Sequence, residues 1–253
     1  MVLTYKTFLI VCPLVFLAGL VDAIGGGGGF ISIPAYLIAG LPPHAAIATN
    51  KFSSSCGTTL ATSRFIKNGL VNFRLAVPGA AAVAVGAAIG ANISLRIDEK
   101  ILSGIMTVVL PLCAFVVLNK KLFNDSGSDE IVLNRKTYFA VCLTSFAVGI
   151  YDGFYGPGTG TFLIIAFTAW AKLSVRTANA QAKFINLASN LASLTVFIIN
   201  GEVIWPLALA AAACNMLGGY AGAGLVMKNG TKIVKPVIIF VLILFVLKML
   251  GLY

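Results

Sequence analysis

Charge is what this sequence has least of. Only 10% of its 253 residues are Asp, Glu, Lys or Arg, against 59% hydrophobic, a balance that excludes an ordinary soluble globular domain. Catalytic patterns are missing as well. There is no HExxH, no GxSxG and no pair of carboxylates on one helix face, so nothing points to an intramembrane enzyme. The five cysteines, Cys12, Cys56, Cys113, Cys142 and Cys214, all lie in apolar segments without metal-ligand spacing and read as small core residues. Neither metal nor cofactor is expected. No polar region is long enough for a soluble domain.

What the chain does have is uncharged apolar runs of the roughly 17 to 25 residues that a helix needs to cross the hydrocarbon of a bilayer. These runs alternate with short charged turns, so an all-α polytopic membrane protein is expected. The formal net charge of +10 could suggest a nucleic-acid partner, but the basic residues are scattered through short loops with no interleaved aromatics. The excess of positive charge on cytoplasmic loops accounts for them better, and no nucleic acid is expected.

The chain also repeats itself. "GLVDAIGGGG" at Gly19 aligns with "GIYDGFYGPGTG" at Gly149, so that Asp22 meets Asp152, 130 positions on. After a two-residue insertion the offset becomes 132: Lys51-Phe52 meets Lys183-Phe184, Asn68-Gly69 meets Asn200-Gly201, and Gly86 and Gly90 meet Gly218 and Gly222. The duplication implies a first membrane repeat over 1–120, a polar cytoplasmic linker over 121–136 and a second repeat over 137–253. The opening segment resembles a signal peptide, but it has a counterpart in the second repeat and is therefore retained as structure.

Each repeat reads as an apolar segment (about 7–22), a glycine break, a short apolar segment (30–41) and three longer helices (44–66, 73–95 and 100–118). At 1.5 Å per residue the short segment covers about 18 Å of a core about 30 Å thick, so it either returns to its own side or crosses only in part. Loop charge differs between the repeats. Arg64, Lys67 and Arg74 flank the turn after the third segment of the first repeat, where the second has only Glu202; Lys228, Lys232 and Lys235 reverse the bias one turn later. The repeats are therefore expected to be inverted, with the linker cytoplasmic and both termini external.

A helix broken at membrane depth exposes amides that lipid cannot satisfy, so paired breaks mark a cavity or a protein-buried site. Gly25, Gly26, Gly27, Gly28 and Gly29 in the first repeat, with Gly156, Gly158, Thr159 and Gly160 in the second, are candidates for a main-chain anion cradle at the start of a short helix. Close helix packing is the alternative use of glycine, and Gly86, Gly90, Gly218 and Gly222 are assigned to it. Lys51 and Lys183 lie roughly 10 Å into the third helices and require a counter-charge or ligand unless they snorkel. Lys183, Asn186, Asn190 and Ser193 share one helix face, as do Lys51, Ser54, Thr58 and Ala61. Asn50 and Gln181 flank those lysines and complete the candidate substrate-binding set. Asp22 and Asp152 are the candidates for proton coupling, with helix capping or neutralisation of the lysines as alternatives. His44 in "LPPHAA" reads as a residue of the helix-start region.

These residues also carry a family resemblance. "GLVDAIGGGGGFISIPAYLIAGLPPHAAIATNKFSSSCGT", followed by "VGIYDGFYGPGTGTFL" and "NAQAKFINLASNLAS", resembles the TauE/SafE sulfite-exporter family, anion permeases of the TSUP type, over nearly the whole chain. The resemblance implies a bacterial or archaeal plasma-membrane permease that exports sulfite, sulfonates or similar anions with the proton gradient. A cation or proton carrier built on the two aspartates, and a non-transporting membrane scaffold, are the rival readings. Partners are then a small anion and the lipid bilayer, with a homodimer left open.

Overall fold

The computed structural model describes residues 3–118 and 131–229. These residues form nine helices and no strand: α1 (Tyr5–Gly25), α2 (Gly29–Ile38), α3 (Pro43–Lys67), α4 (Phe73–Leu95), α5 (Glu99–Leu118), α6 (Arg135–Phe154), α7 (Thr159–Ala169), α8 (Val175–Ile199) and α9 (Trp205–Asn229). The five segments expected in the first repeat are α1 to α5, and four of their counterparts are α6 to α9. The fifth counterpart with Lys232 and Lys235, most of the linker, and the side chains of Cys113 and Lys228 lie outside the described residues.

Local sequence explains the helix ends. Asn68-Gly69 and Asn200-Gly201 stop α3 and α8 in the same way, with the glycines at φ 68° and 73°. In each case the next two amides return to carbonyls of the last turn. The α1 helix ends where Gly26 turns left-handed at φ 82° and donates its N–H to the Asp22 carbonyl at 2.8 Å. In the second repeat Gly156 and Gly158 adopt the same region, at φ 94° and 82°.

Past the break the chain doubles back. A Cβ on Gly28 would run into Ala18 and Asp22 of α1, and Tyr36 further along α2 packs in one cluster with Val11 and Val15. With 10 and 11 residues, α2 and α7 span about 15–17 Å each, so each break is the tip of a helical hairpin.

Two bundles result, and neither is a sequence repeat. In the first, α1, α2 and α3 pack with α9 from the second repeat; in the second, α6, α7 and α8 pack with α4 from the first. Glycine permits the exchange. Gly86 and Gly90 of α4 bring its backbone against that of α6 at Phe146 and Ile150, while Gly218 and Gly222 of α9 do the same against α1 at Phe16 and Leu20. The bundles meet along α3 and α8, which run antiparallel: Lys51 faces Asn190, and Thr62 faces the carbonyl of Lys183.

Large apolar side chains such as Leu9, Val85, Phe139, Leu143 and Leu217 cover the outside of the molecule. Five of the described helices, α1, α4, α6, α8 and the first 21 residues of α9, are long and apolar enough to cross a membrane. The 25-residue α3 has the length but not the apolarity, because its inward face carries Asn50, Lys51, Ser53, Ser55, Thr58 and Thr62, all buried.

Candidate functional site

The tips of the two hairpins meet. A Cβ on Gly26 would strike the backbone of Gly160 and Thr161, and one on Gly160 would strike Gly26, so only glycine allows the two breaks to touch. The carbonyls left over at the end of α1 find partners in the other repeat. Thr161 donates its hydroxyl to the Gly25 carbonyl at 2.7 Å, and the Asn179 amide reaches the Ile24 carbonyl at 3.2 Å. The break is thereby satisfied by protein rather than left to lipid.

Both lysines are buried beside the tips, with side-chain exposures of 2% for Lys51 and 0% for Lys183. Neither snorkels. Lys51 Nζ lies 2.6 Å from Asp152 Oδ2 and Lys183 Nζ lies 2.8 Å from Asp22 Oδ2. Each pair joins one repeat to the other, and each joins one bundle to the other: Lys51 and Asp22 belong to the first bundle, Lys183 and Asp152 to the second. Ionised lysine buried in a protein is tolerated only with such a partner, because removing the charge from water costs several kcal/mol.

The two pairs are built differently. Asp152 also accepts from Thr159 Oγ1 at 2.6 Å and from Ser189 Oγ at 2.5 Å, and Lys51 further donates to Asn190 at 3.3 Å. Among the described residues, Asp22 has one hydrogen-bond and ion-pair partner, Lys183.

Between the tips lies a polar cavity of about 20 Å³, room for one water-sized guest. Twelve residues line it: Asp22, Gly26, Gly29, Asn50, Lys51, Ser54, Asp152, Gly156, Thr159, Gly160, Asn186 and Asn190. Every one belongs to the set singled out by sequence. Gly29, the first residue of α2, and Gly160, the second of α7, carry N–H groups that no backbone carbonyl takes among the described residues. The Asn186 side chain is buried, and its Oδ1 has no hydrogen-bond partner among the described residues.

Six expected residues stand outside the lining. Lys183 sits behind Asp22, its ammonium engaged by that carboxylate. Gly25 contributes the carbonyl that Thr161 takes, Gly27 forms the turn, Gly28 packs on α1, and Gly158 packs on the Phe30 ring as the N-cap of α7. Gln181 lies away from the cavity, bonded to the loop before α4 at Leu70 or Asn72, because its position on α8 faces that loop. His44, in the first turn of α3, bonds the Ser94 carbonyl through Nε2 at 3.0 Å and takes no part in the site.

Ser189, Asn179 and Thr161 support the site without having been singled out as site residues. Ser189 is off the lysine face by helical spacing, and Asn179 reaches across the repeats, so only packing reveals either. No cluster of His, Cys, Asp or Glu that could hold a metal occurs among the described residues.

A multi-pass helical membrane protein with paired hairpins meeting at a buried, charge-bearing cavity has the design of a membrane transporter. The model of the sulfite exporter TauE/SafE family matches residues 11–249, and the chain belongs to that family. It is similar to a probable membrane transporter protein of Sinorhizobium sp., 36% identical over 93% of this chain and 89% of the relative. It is also similar to probable membrane transporter proteins of Haemophilus influenzae, at 34% identity over 92% of this chain and 91% of the relative, and of Escherichia coli K12, at 32% over 94% and 90%. No solved structure matches.

Proposed function

We propose that the chain is a secondary active transporter of sulfur-containing anions, of the sulfite or organosulfonate type, that exports its substrate with coupling to protons across a bacterial or archaeal plasma membrane. The observation that carries this reading is the pair of reciprocal Lys–Asp contacts set around one cavity between two helix N-termini. With both pairs ionised the four side chains sum to zero, so an anion gains little net attraction. One proton on a carboxylate leaves the site with a single excess positive charge, facing the positive ends of α2 and α7. Anion binding and proton binding then favour each other, so the two cross in the same direction and export runs on the outward anion gradient.

The antiparallel course of α3 and α8 supports inverted repeats, and the loop charges support a cytoplasmic linker and external termini. The cavity is too small for a sulfonate as it stands, so transport requires the bundles to separate at the α3–α8 seam on one side or the other. Both ion pairs cross that seam and would have to open with it.

The test is sulfite and sulfonate flux in proteoliposomes under two pH gradients, comparing the intact protein with Lys51→Ala, Lys183→Ala and the double variant. Flux that collapses in folded lysine variants supports an anion site at the pairs. Movement of a cation with no sulfur anion moving would overturn it in favour of a carrier built on Asp22 and Asp152.

A further inference from the structure

Duplication delivered two equivalent Lys–Asp pairs, and the structure has made them unequal. The Asp152 side chain is 3% exposed and the Asp22 side chain is 20% exposed. Three side chains donate to Asp152: Lys51 and Ser189 converge on Oδ2, and Thr159 takes Oδ1. Neither oxygen is left over. Asp22 uses only Oδ2, toward Lys183, and its Oδ1 accepts no hydrogen bond among the described residues although Asp22 lines the cavity.

From this difference we infer that the two pairs have divided the work: Asp22 is the carboxylate that takes the transported proton and frees Lys183 for the anion, while Asp152 stays ionised as the fixed counter-charge of Lys51. The inference rests on the proton-coupled anion reading above.

The chemistry follows from what each oxygen can do. A proton delivered through the cavity adds to the unoccupied Oδ1 of Asp22 and converts the carboxylate to a neutral acid. The Lys183 ammonium keeps its own proton and loses its counter-charge, so the incoming anion takes the place the carboxylate held. Release of the anion restores the pair and returns the proton to water. At Asp152 the same addition would have to turn the Thr159 hydroxyl away, onto the Gly156 carbonyl alone, or weaken the Lys51 and Ser189 contacts on Oδ2.

The charged groups facing Asp22 are Lys183 from α8, Lys51 from α3 and Asp152 from α6. The neighbouring α2 and α7 carry no charged residue. The difference lies in residue type at matching positions of the two halves. Thr159 and Ser189 correspond to Gly29 and Gly57, which have no hydroxyl to offer Asp22. Gly57 instead lets Asn215 approach α3 closely.

The test has two arms on the purified full chain. In lipid nanodiscs, infrared difference spectra between alkaline and acid buffer are expected to show a protonated-carboxyl C=O band that Asp22→Asn abolishes and that the charge-free double variant Lys51→Gln/Asp152→Asn keeps. A band lost in the double variant but kept in Asp22→Asn, or kept in both, overturns the assignment. In proteoliposomes, Asp22→Asn, which can take up no proton, is expected to lower gradient-driven sulfite accumulation, measured against the same variant's own exchange at equal pH, by about tenfold or more, the scale of a coupling free energy between two sites. Full gradient-driven accumulation by Asp22→Asn overturns the division. No sulfite flux by the intact protein in either assay would sink the transport reading alone, and the infrared band would still decide for or against Asp22.

Discussion

Lys51 and Asp152 lie 2.6 Å apart although 101 positions separate them, and their contact ties α3 of one bundle to α6 of the other. Both side chains are withdrawn from solvent and from lipid, so the pair is stable only as a pair. Removing one member leaves a buried charge, at a cost of about 3–5 kcal/mol, whereas replacing both by apolar residues of similar size can be close to neutral. Thermal unfolding in detergent should therefore place Lys51→Met well below the intact protein and Lys51→Met/Asp152→Leu between the two. A double variant that loses the sum of what Lys51→Met and Asp152→Leu lose singly would mean that the contact contributes no coupling.

The contact of the two hairpin tips makes a sharper demand. Gly26→Ala places a methyl group against Gly160 and also forces an L-residue into the left-handed region, at about 1–2 kcal/mol for the backbone alone. Gly69→Ala pays the same backbone cost with nothing within 4 Å of its new Cβ. Gly26→Ala should lose folded protein in a melting assay while Gly69→Ala loses only a few degrees; similar losses would remove the argument for tip contact.

Thr161 carries no charge and stands behind the cavity, yet its hydroxyl is the hydrogen-bond partner of the Gly25 carbonyl. Thr161→Val keeps the shape and removes the donor. A loss of about 1–3 kcal/mol is expected from the unsatisfied buried carbonyl. Unchanged stability would place another donor there.

The exchange of α4 and α9 decides which helices move together. Cys12 on α1 and Cys214 on α9 come from different repeats but the same bundle, on two helices that pack against each other. A short bifunctional thiol cross-linker joining them should leave sulfite flux near the intact level. Blocked flux, reversed by cleaving the linker, would show that α1 and α9 move against one another.

Inversion can be read from outside the protein. With a membrane-impermeant maleimide on intact cells, a cysteine at Glu202 should label directly and one at Asn68 only after permeabilisation. Labelling of both from the same side would contradict inverted repeats.

Much of the site was legible in the sequence because covalent repetition and helical spacing are written there. The 130- and 132-residue offsets pair the breaks, the lysines and the aspartates, and the period of α8 puts Lys183, Asn186 and Asn190 on one face. Gln181 shows the limit of adjacency as a guide: two positions from Lys183 it points to a loop instead of the cavity.

The sequence by itself determined the helices, their breaks and the residue types at the cavity, since local backbone preference and hydropathy act over a few residues. Only the tertiary structure decided which lysine meets which aspartate, that α4 and α9 change bundles, and that Asp152 is enclosed while Asp22 keeps one oxygen without a partner among the described residues. Those relationships join residues 100 or more positions apart, as from Lys51 to Asp152 or Asp22 to Lys183. They follow from the antiparallel meeting of α3 and α8 and from the glycines that let backbones touch, and no local rule encodes either.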